Sequence, residues 1–233
     1  MPVGLSAERW PICGECDEPM TLLLQLAAGP WLPRIPDGHV LLVFKCEGDD
    51  GCSFWEPDDV ANRTLLLSAG EISGDDAVPP PAAPNASPVL PRLWVAGWER
   101  SDDRLTAEQA AAIDDPDRFW DLPEEIQSGH DFDSARLTKA GGAPYWTGNG
   151  PSAEPEGERA LLFQIDNWVT AQEPGGALAA HVASEQAHRP GESYAQVHES
   201  SLTAANFMSD GIAFLFDVTP GAEIPTPRLV INR

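Results

Sequence analysis

All four cysteines of the chain lie in its first 52 residues and form two pairs. Cys13 and Cys16 are separated by two residues, and Cys46 and Cys52 by five. Paired thiols in a reducing compartment favour a structural Zn²⁺ over two disulfides, although the second pair is wider than the usual ligand spacing of about two to four residues. Three interpretations stay open: a four-thiolate zinc site, buried free thiols, or a site that has lost its affinity for metal.

A glycine turn followed by aromatic residues is the densest motif of the chain. Gly141 and Gly142 permit a positive φ or a close backbone approach, and Pro144 fixes the exit from the turn. Trp146 then follows with a large apolar body and one polar N–H. Because aromatic anchors dominate the energetics of protein interfaces, we expect an exposed Trp146 that contacts a partner. The motif matches no phosphate-binding loop.

Catalytic motifs are absent from the sequence, so we predict no catalytic residues and a non-enzymatic protein. The histidines occur in no H-x-x-x-H or H-E-x-x-H pattern, and no G-x-S-x-G elbow accompanies them. Asp166, Asp210 and Asp217 adjoin predicted strands and could form a carboxylate cluster, although turn-forming aspartate is the favoured interpretation. An unrecognised hydrolase that uses Asp166, Asp210 and His130 remains an alternative.

An internal repeat organises the elements that would position these residues. Residues 22–26 (LLLQL) precede the Gly-led apolar run 38–44, and residues 161–165 (LLFQI) precede the Gly-led run 211–216. Each copy has the pattern of two buried strands joined by a connection. The repeat predicts an α+β fold, mainly antiparallel β, in which two pseudo-symmetric repeats form one compact unit.

One glutamine interrupts the first apolar run of each copy, Gln25 in one and Gln164 in the other. A buried amide without partners costs about 1 to 3 kcal/mol, so each glutamine must be hydrogen-bonded. Either both bind neighbouring backbone and fix the strand register, or both point into a groove between the halves. The predicted partner-binding residues are Gly141, Gly142, Pro144, Trp146, Gln25, Gln164 and Asp166.

Three regions follow from this organisation. Residues 1–74 form the first repeat with the cysteine cluster, and residues 75–91, with six prolines, form a linker because proline removes a donor and restricts its predecessor. Residues 92–233 form the second repeat, with an acidic helical segment and an insertion at about 170–205. In that segment the pattern Thr106-x-x-Gln109 predicts a helix that extends to about Ile113.

The charge balance restricts the partners. The chain has 37 acidic and 14 basic residues, a formal net charge of -23, which repels nucleic-acid phosphates. Residues 99–133 alone contain twelve acidic residues and three arginines, with aromatic side chains between them. This segment is either a solvated face or a surface that receives a basic protein, and acidity can also serve solubility alone. We expect no membrane segment and a cytoplasmic location, since no apolar stretch approaches ~20 residues.

Several motifs resemble known proteins. The run T-K-x-G-G-x-P-Y-W at 138–146, with L-L-F-Q-I-D-N-W at 161–168 and M-S-D-G-I-A-F-L-F-D at 208–217, resembles the YwqG-like family of bacterial proteins. The block C-x-x-C-x-x-x-M-x-L-L-L-Q at 13–25 and the strand at 41–46 look like the related domain of eukaryotic programmed-cell-death and Tsr-type proteins, which escort new ribosomal proteins. The resemblance implies a duplicated antiparallel β architecture and a chaperone-like, protein-binding role.

One departure from that pattern stands at the start of the chain. The first copy has only Arg9-Trp10-Pro11 where the resemblance implies a G-G-x-P-x-W element before the cysteines. We expect either that this copy has degenerated or that the chain is truncated there. The leading functional hypothesis is protein or peptide binding, and the alternative from another class is an immunity-type protein that neutralises a basic bacterial toxin through the acidic segment.

Overall fold

A computed structural model of the chain describes residues 5–47, 52–57, 60–72, 95, 98–127, 138–146, 149–166, 168–170, 201–203, 207 and 211–232. The predicted Pro-rich linker and most of the predicted insertion lie outside these residues, as do His130 and Asp210. The predictions made for them stay predictions.

In the described part of the chain, short antiparallel strands predominate over helices. The strands are β1 (Thr21–Ala27), β2 (Val40–Lys45), β3 (Asn62–Leu67), β4 (Lys139–Ala140), β5 (Ala160–Ile165), β6 (Trp168–Thr170), β7 (Ser201–Thr203), β8 (Ile212–Asp217) and β9 (Pro227–Asn232). The helices are α1 (Ala107–Ile113), α2 (Glu124–Gln127) and two 3-10 helices, Ala7–Arg9 and Phe119–Asp121. The predicted α+β class with mainly antiparallel strands is confirmed. No helix among these residues is long and apolar enough to cross a membrane.

The strands form three antiparallel sheets. The first has the order β1-β2-β3, the second β4-β5-β8-β9, and β6 pairs with β7 alone. Strand β3 of the first sheet lies beside β9 of the second, and the Thr64 hydroxyl donates to the Pro227 carbonyl at 2.6 Å. The two larger sheets therefore meet along these strands.

Two strand pairs share a local irregularity. In the pairing of β1 with β2 the register skips Leu23, and in the pairing of β5 with β8 it skips Leu162. Both skipped leucines stand two residues before the glutamine of their strand, Gln25 or Gln164. A bulge of this kind bends the strand and increases its twist.

Two apolar clusters form the core. The first contains residues from both halves, including β2, which is buried along its whole length. The second lies on the other face of β8, where Ile212, Phe214 and Phe216 point away from the first cluster. Because side chains alternate across a strand, β8 serves both clusters, and its sheet is covered on both faces.

The helical segment covers the second cluster. Helix α1 begins with the predicted capping box, in which Thr106 and Gln109 bind each other's backbone N–H groups. At its end, Asp114 forms an ion pair with Arg159 at 2.9 Å, and the Arg159 guanidinium lies 4.6 Å from the ring centre of Phe216. Burial raises the pKa of Asp114 despite the opposing effect of Arg159. Arg159 thus joins α1 to the second sheet.

Candidate metal centre

The four cysteines converge, as predicted. Their Sγ atoms all lie within 4.8 Å of one another, with 3.8 Å between Cys13 and Cys52 and 3.6 Å between Cys16 and Cys46. A tetrahedral zinc with Zn–S bonds of about 2.3 Å holds its sulfurs about 3.8 Å apart. All four cysteines are free thiols, and these separations are far from the ~2.05 Å of a disulfide. The arrangement is compatible with a metal site.

Backbone hydrogen bonds place the two cysteine pairs. Cys13 and Cys16 lie in the turn before β1, Cys46 directly follows β2, and Cys52 lies between β2 and β3. The Gly14 N–H donates to the Val60 carbonyl and the Cys46 N–H to the Ala61 carbonyl, both at 2.8 Å. One segment, the two residues before β3, therefore binds the backbone beside Cys13 and the backbone of Cys46.

The thiols differ in acidity. Burial raises the pKa of Cys13, but the backbone N–H groups of Cys16 and Glu15 and the neighbouring thiols lower it by a larger amount. The net shift of this pKa is therefore downward. Burial and the neighbouring thiols both raise the pKa of Cys52. A metal cation in the cluster would instead lower the pKa of the thiols that bind it, because a coordinating thiol is deprotonated outright.

The site is closed to solvent on most sides. Cys13, Cys46 and Cys52 are at most 2% exposed and Cys16 is half-buried. Four protein ligands fill a tetrahedral coordination sphere and leave no position for a substrate. A closed four-cysteine site of this kind is typical of structural rather than catalytic zinc.

Trp146, which follows the glycine turn, is buried. Trp146 is 2% exposed and packs against Phe214, with 4.5 Å between ring centres. The prediction of an exposed Trp146 is wrong because the helical segment covers this face of the second sheet and makes it a second core. Gly142 has a φ of 77°, and its turn encloses Asp103, which accepts hydrogen bonds from the Ala143 N–H and the Lys139 ammonium.

The two glutamines do not line an open groove together. Gln164 is fully buried, and its Oε1 accepts a hydrogen bond from the Tyr145 N–H at 2.9 Å, so the backbone-binding interpretation is confirmed for it. Gln25 is half-buried on β1, and the half-buried Asp166 donates its N–H to the Thr138 hydroxyl. With Pro144 and Trp146 buried as well, the predicted residues do not form an open cleft in this conformation.

A different tryptophan, Trp120 of the acidic segment, lies at the surface. Trp120 is 56% exposed, meets the buried Phe119 edge to face at 5.0 Å, and rests against Gly150. The exposed acidic residues near it, just before the 3-10 helix, at its end and on α2, define with Trp120 what we call the Trp120 face: Asp117, Trp120, Asp121, Glu124 and Glu125. The exposed Arg118 is the one cation within this stretch of described residues. The acidic run was a visible signal, but which of its aromatic residues is exposed depends on tertiary packing.

Comparison of the chain with family models, with curated proteins and with solved structures finds no match. The features that bear on function are the thiol cluster and the surface of this molecule.

Proposed function

We propose that Cys13, Cys16, Cys46 and Cys52 hold one structural Zn²⁺. The spacing of the Sγ atoms supports this proposal, since two of the separations, 3.6 and 3.8 Å, are close to the ~3.8 Å expected around tetrahedral zinc and the others are at most 4.8 Å. The ion would join the turn before β1 to two points of the β2–β3 connection, Cys46 at its start and Cys52 within it. Because such a site does not exist in the unfolded chain, its binding free energy adds to the free energy of unfolding.

Metal content tests the proposal directly. The protein purified without added metal should contain one zinc per chain by elemental analysis, and Cys16→Ser should contain much less. An iron content of one per chain with visible thiolate-to-iron absorption would show that the site holds iron and not zinc, because four thiolates also suit that metal. No metal in wild type, even after addition of Zn²⁺, would contradict the site altogether.

We further propose that the protein is a non-enzymatic binding protein for a basic protein or peptide, and that the Trp120 face is its docking surface. The observation that carries this proposal is the exposed Trp120 side chain among exposed carboxylates in a chain of net charge -23. A rigid aromatic supplies contact area, and a face of one charge steers a partner of the other. Trp31 and Trp98, also exposed, are stacked on each other at 5.8 Å and already use one ring face each.

The duplicated architecture and the family resemblance belong to the same proposal. The matching bulges before Gln25 and Gln164, and the pairing of each glutamine with the third residue of its partner strand, β2 or β8, support two related halves. A YwqG-like ancestry and a chaperone-like role in the cytoplasm would fit them. The buried reduced thiols fit a reducing compartment.

Capture from bacterial lysate, followed by binding of the purified candidate, tests the docking surface. Wild type should retain a basic protein at low salt and release it at high salt, because exposed charges are screened within about 10 Å at 0.1 M. Trp120→Ala should lose that protein, whereas Trp31→Ala should retain it. Equal capture of the protein by Trp120→Ala and Trp31→Ala would contradict the proposal. So would binding of the purified candidate that changes neither with salt concentration nor on replacement of Trp120.

The immunity-type alternative uses the same face and differs in its partner. A single cationic toxin bound one to one, and inactivated when bound, would favour immunity, whereas a ribosomal protein would favour an escort role. The hydrolase hypothesis needs His130 and Asp210, which lie outside the described residues.

A further inference from the structure

The second cysteine pair has a spacing problem that the first pair does not have. Five residues separate Cys46 from Cys52, whereas two separate Cys13 from Cys16. A longer connection leaves its ends more conformational freedom and fixes two thiols less firmly. Cys46 and Cys52 nevertheless lie 3.6 and 3.8 Å from their partners in the cluster. Something other than the connection must hold them there.

Lys45 bridges the two ends of this connection. It is the last residue of β2 and is fully buried. Its ammonium donates to the Cys46 carbonyl at 2.8 Å and to the Glu47 carboxylate at 2.6 Å, and lies 3.8 Å from the ring centre of Phe54. Phe54 follows Cys52 by two residues. One side chain therefore contacts the residues next to both cysteines.

Asn62 holds the same segment from the neighbouring strand. It is the register partner of Lys45 in the pairing of β2 with β3, and it too is fully buried. Its Nδ2 donates to the Phe54 carbonyl at 3.0 Å. Lys45 thus contacts the ring of Phe54, while Asn62 binds its backbone. Buried polar groups are costly unless paired, and the Nδ2 of Asn62 is paired with the segment that carries Cys52, whereas its Oδ1 has no hydrogen-bond partner in the described part of the chain.

We infer that Lys45 is a positioning residue of the metal centre, which fixes the Cys46–Cys52 pair in place of a short connection, with Asn62 supporting it. This inference rests on the proposed metal site. Glu47 neutralises much of the ammonium charge, so the role of Lys45 is geometric: it sets where the two thiols stand. Residues that orient metal ligands from outside the coordination sphere commonly change metal affinity 10- to 100-fold.

The two lysines of the chain provide the test and its control. Lys139 is also ion-paired, but with Asp103 at the glycine turn, away from the thiols. Zinc affinity is measured on the full chain by competition with a chromophoric chelator, for Lys45→Met and for Lys139→Met. Lys45→Met should bind Zn²⁺ about 10- to 100-fold more weakly than wild type, and Lys139→Met should match wild type. Equal affinities of Lys45→Met and wild type would overturn the inference.

A second readout separates positioning from folding. The visible absorption of Co²⁺ in the site reports tetrahedral thiolate geometry, and Lys45→Met should show a distorted or weaker spectrum at saturating Co²⁺. If Lys45→Met does not fold, Phe54→Leu, which keeps an apolar side chain but removes the ring, decides: weakened Zn²⁺ binding supports the inference and unchanged binding overturns it. If the wild-type protein bound neither Zn²⁺ nor Co²⁺, that result would contradict the proposed zinc site itself.

Discussion

The guanidinium of Arg34, in the connection between β1 and β2, forms an ion pair with Asp217 at the end of β8. Its Nε and Nη2 both donate to the Oδ2 of that carboxylate, at 3.2 and 2.5 Å. Asp217 is fully buried, and its other oxygen accepts hydrogen bonds from the N–H groups of Thr219 and Thr226. The favoured interpretation of this aspartate as turn-forming is thus confirmed, and the same carboxylate also joins the two larger sheets.

Replacement of Arg34 tests the worth of that link. Arg34→Met leaves a buried carboxylate without its cation, and removal of one partner of a buried pair costs about 3 kcal/mol, the lower end of the usual range, because Arg34 itself is partly exposed. Urea unfolding measures the loss. Arg9→Met is the control, since its pair with Glu71 is exposed and an exposed pair adds little to stability. Equal losses in both variants would show that the buried pair has no special role.

The same pair predicts how stability depends on pH. Burial raises the pKa of Asp217, but the Arg34 guanidinium and the Thr219 and Thr226 N–H groups lower it further, to a net value below its ordinary one. In the unfolded chain the pKa of an aspartate is about 3.9. The contribution of Asp217 to the free energy of unfolding is therefore complete above that pH and is lost as the pH falls through the lower pKa of the folded state. As the pH is lowered from about 5 to about 2.5, the free energy of unfolding measured with urea should decrease less for Asp217→Asn than for wild type. Parallel curves would contradict the assignment.

Part of this fold could be predicted because local patterns decide it. The apolar runs at 22–26, 40–44, 161–165 and 212–216 are strands, and the capping box at Thr106 begins α1 as expected. Strands β3 and β9 were not predicted, although LLL at 65–67 and LVI at 229–231 carry a short apolar signal. Both strands depend on pairing with β2 and β8 respectively, which is information that their own residues do not contain.

The site could be predicted only where chemistry alone selects its residues. Paired thiols have few alternatives to a common cluster, and the four cysteines do converge. Tryptophan has no such restriction, because the same side chain serves a core or an interface. Whether Trp146 or Trp120 faces solvent depends on where the helical segment packs, which no local spacing records. Lys45 was overlooked for the same reason, since a lysine that ends a strand is usually exposed.

Gly150 should matter for the position of Trp120. It has a φ of 70°, and a Cβ at this position would lie 2.8 Å from the Trp120 ring. Gly157 has a φ of 95°, and no atom of the described residues lies within 4 Å of a Cβ placed there, so Gly157→Ala should cost only the backbone strain, about 1 kcal/mol. Gly150→Ala adds overpacking of about 1 to 3 kcal/mol and displaces the ring. Urea unfolding compares the two variants, and equal costs would mean that the ring moves freely.

Metal removal should expose the thiols. In the zinc-loaded protein the thiols should react slowly with a chromogenic thiol reagent, because three of them are buried and the proposed site would engage all four. After chelation they should react rapidly, and the unfolding temperature should fall. Zinc affinity should also fall as pH decreases, since protons compete for the thiolates. Equal thiol reactivity with and without chelator would contradict coordination, whatever the metal content.

The last prediction separates binding from stability with two tryptophans. Trp120→Ala removes a side chain that is 56% exposed, so the free energy of unfolding should change by less than about 1 kcal/mol while binding of the basic partner is lost. Trp146→Ala empties a site between Phe214 and Phe216 and should cost about 3 to 5 kcal/mol. Trp146→Phe, which keeps an aromatic ring, should retain both the fold and the partner. Urea unfolding and calorimetric titration on the same samples measure the two quantities. If a folded Trp146→Phe lost binding while Trp120→Ala kept it, the docking surface would lie at the glycine turn and not at the Trp120 face. Binding would then depend on the shape of the Trp146 ring and not on the exposed ring of Trp120.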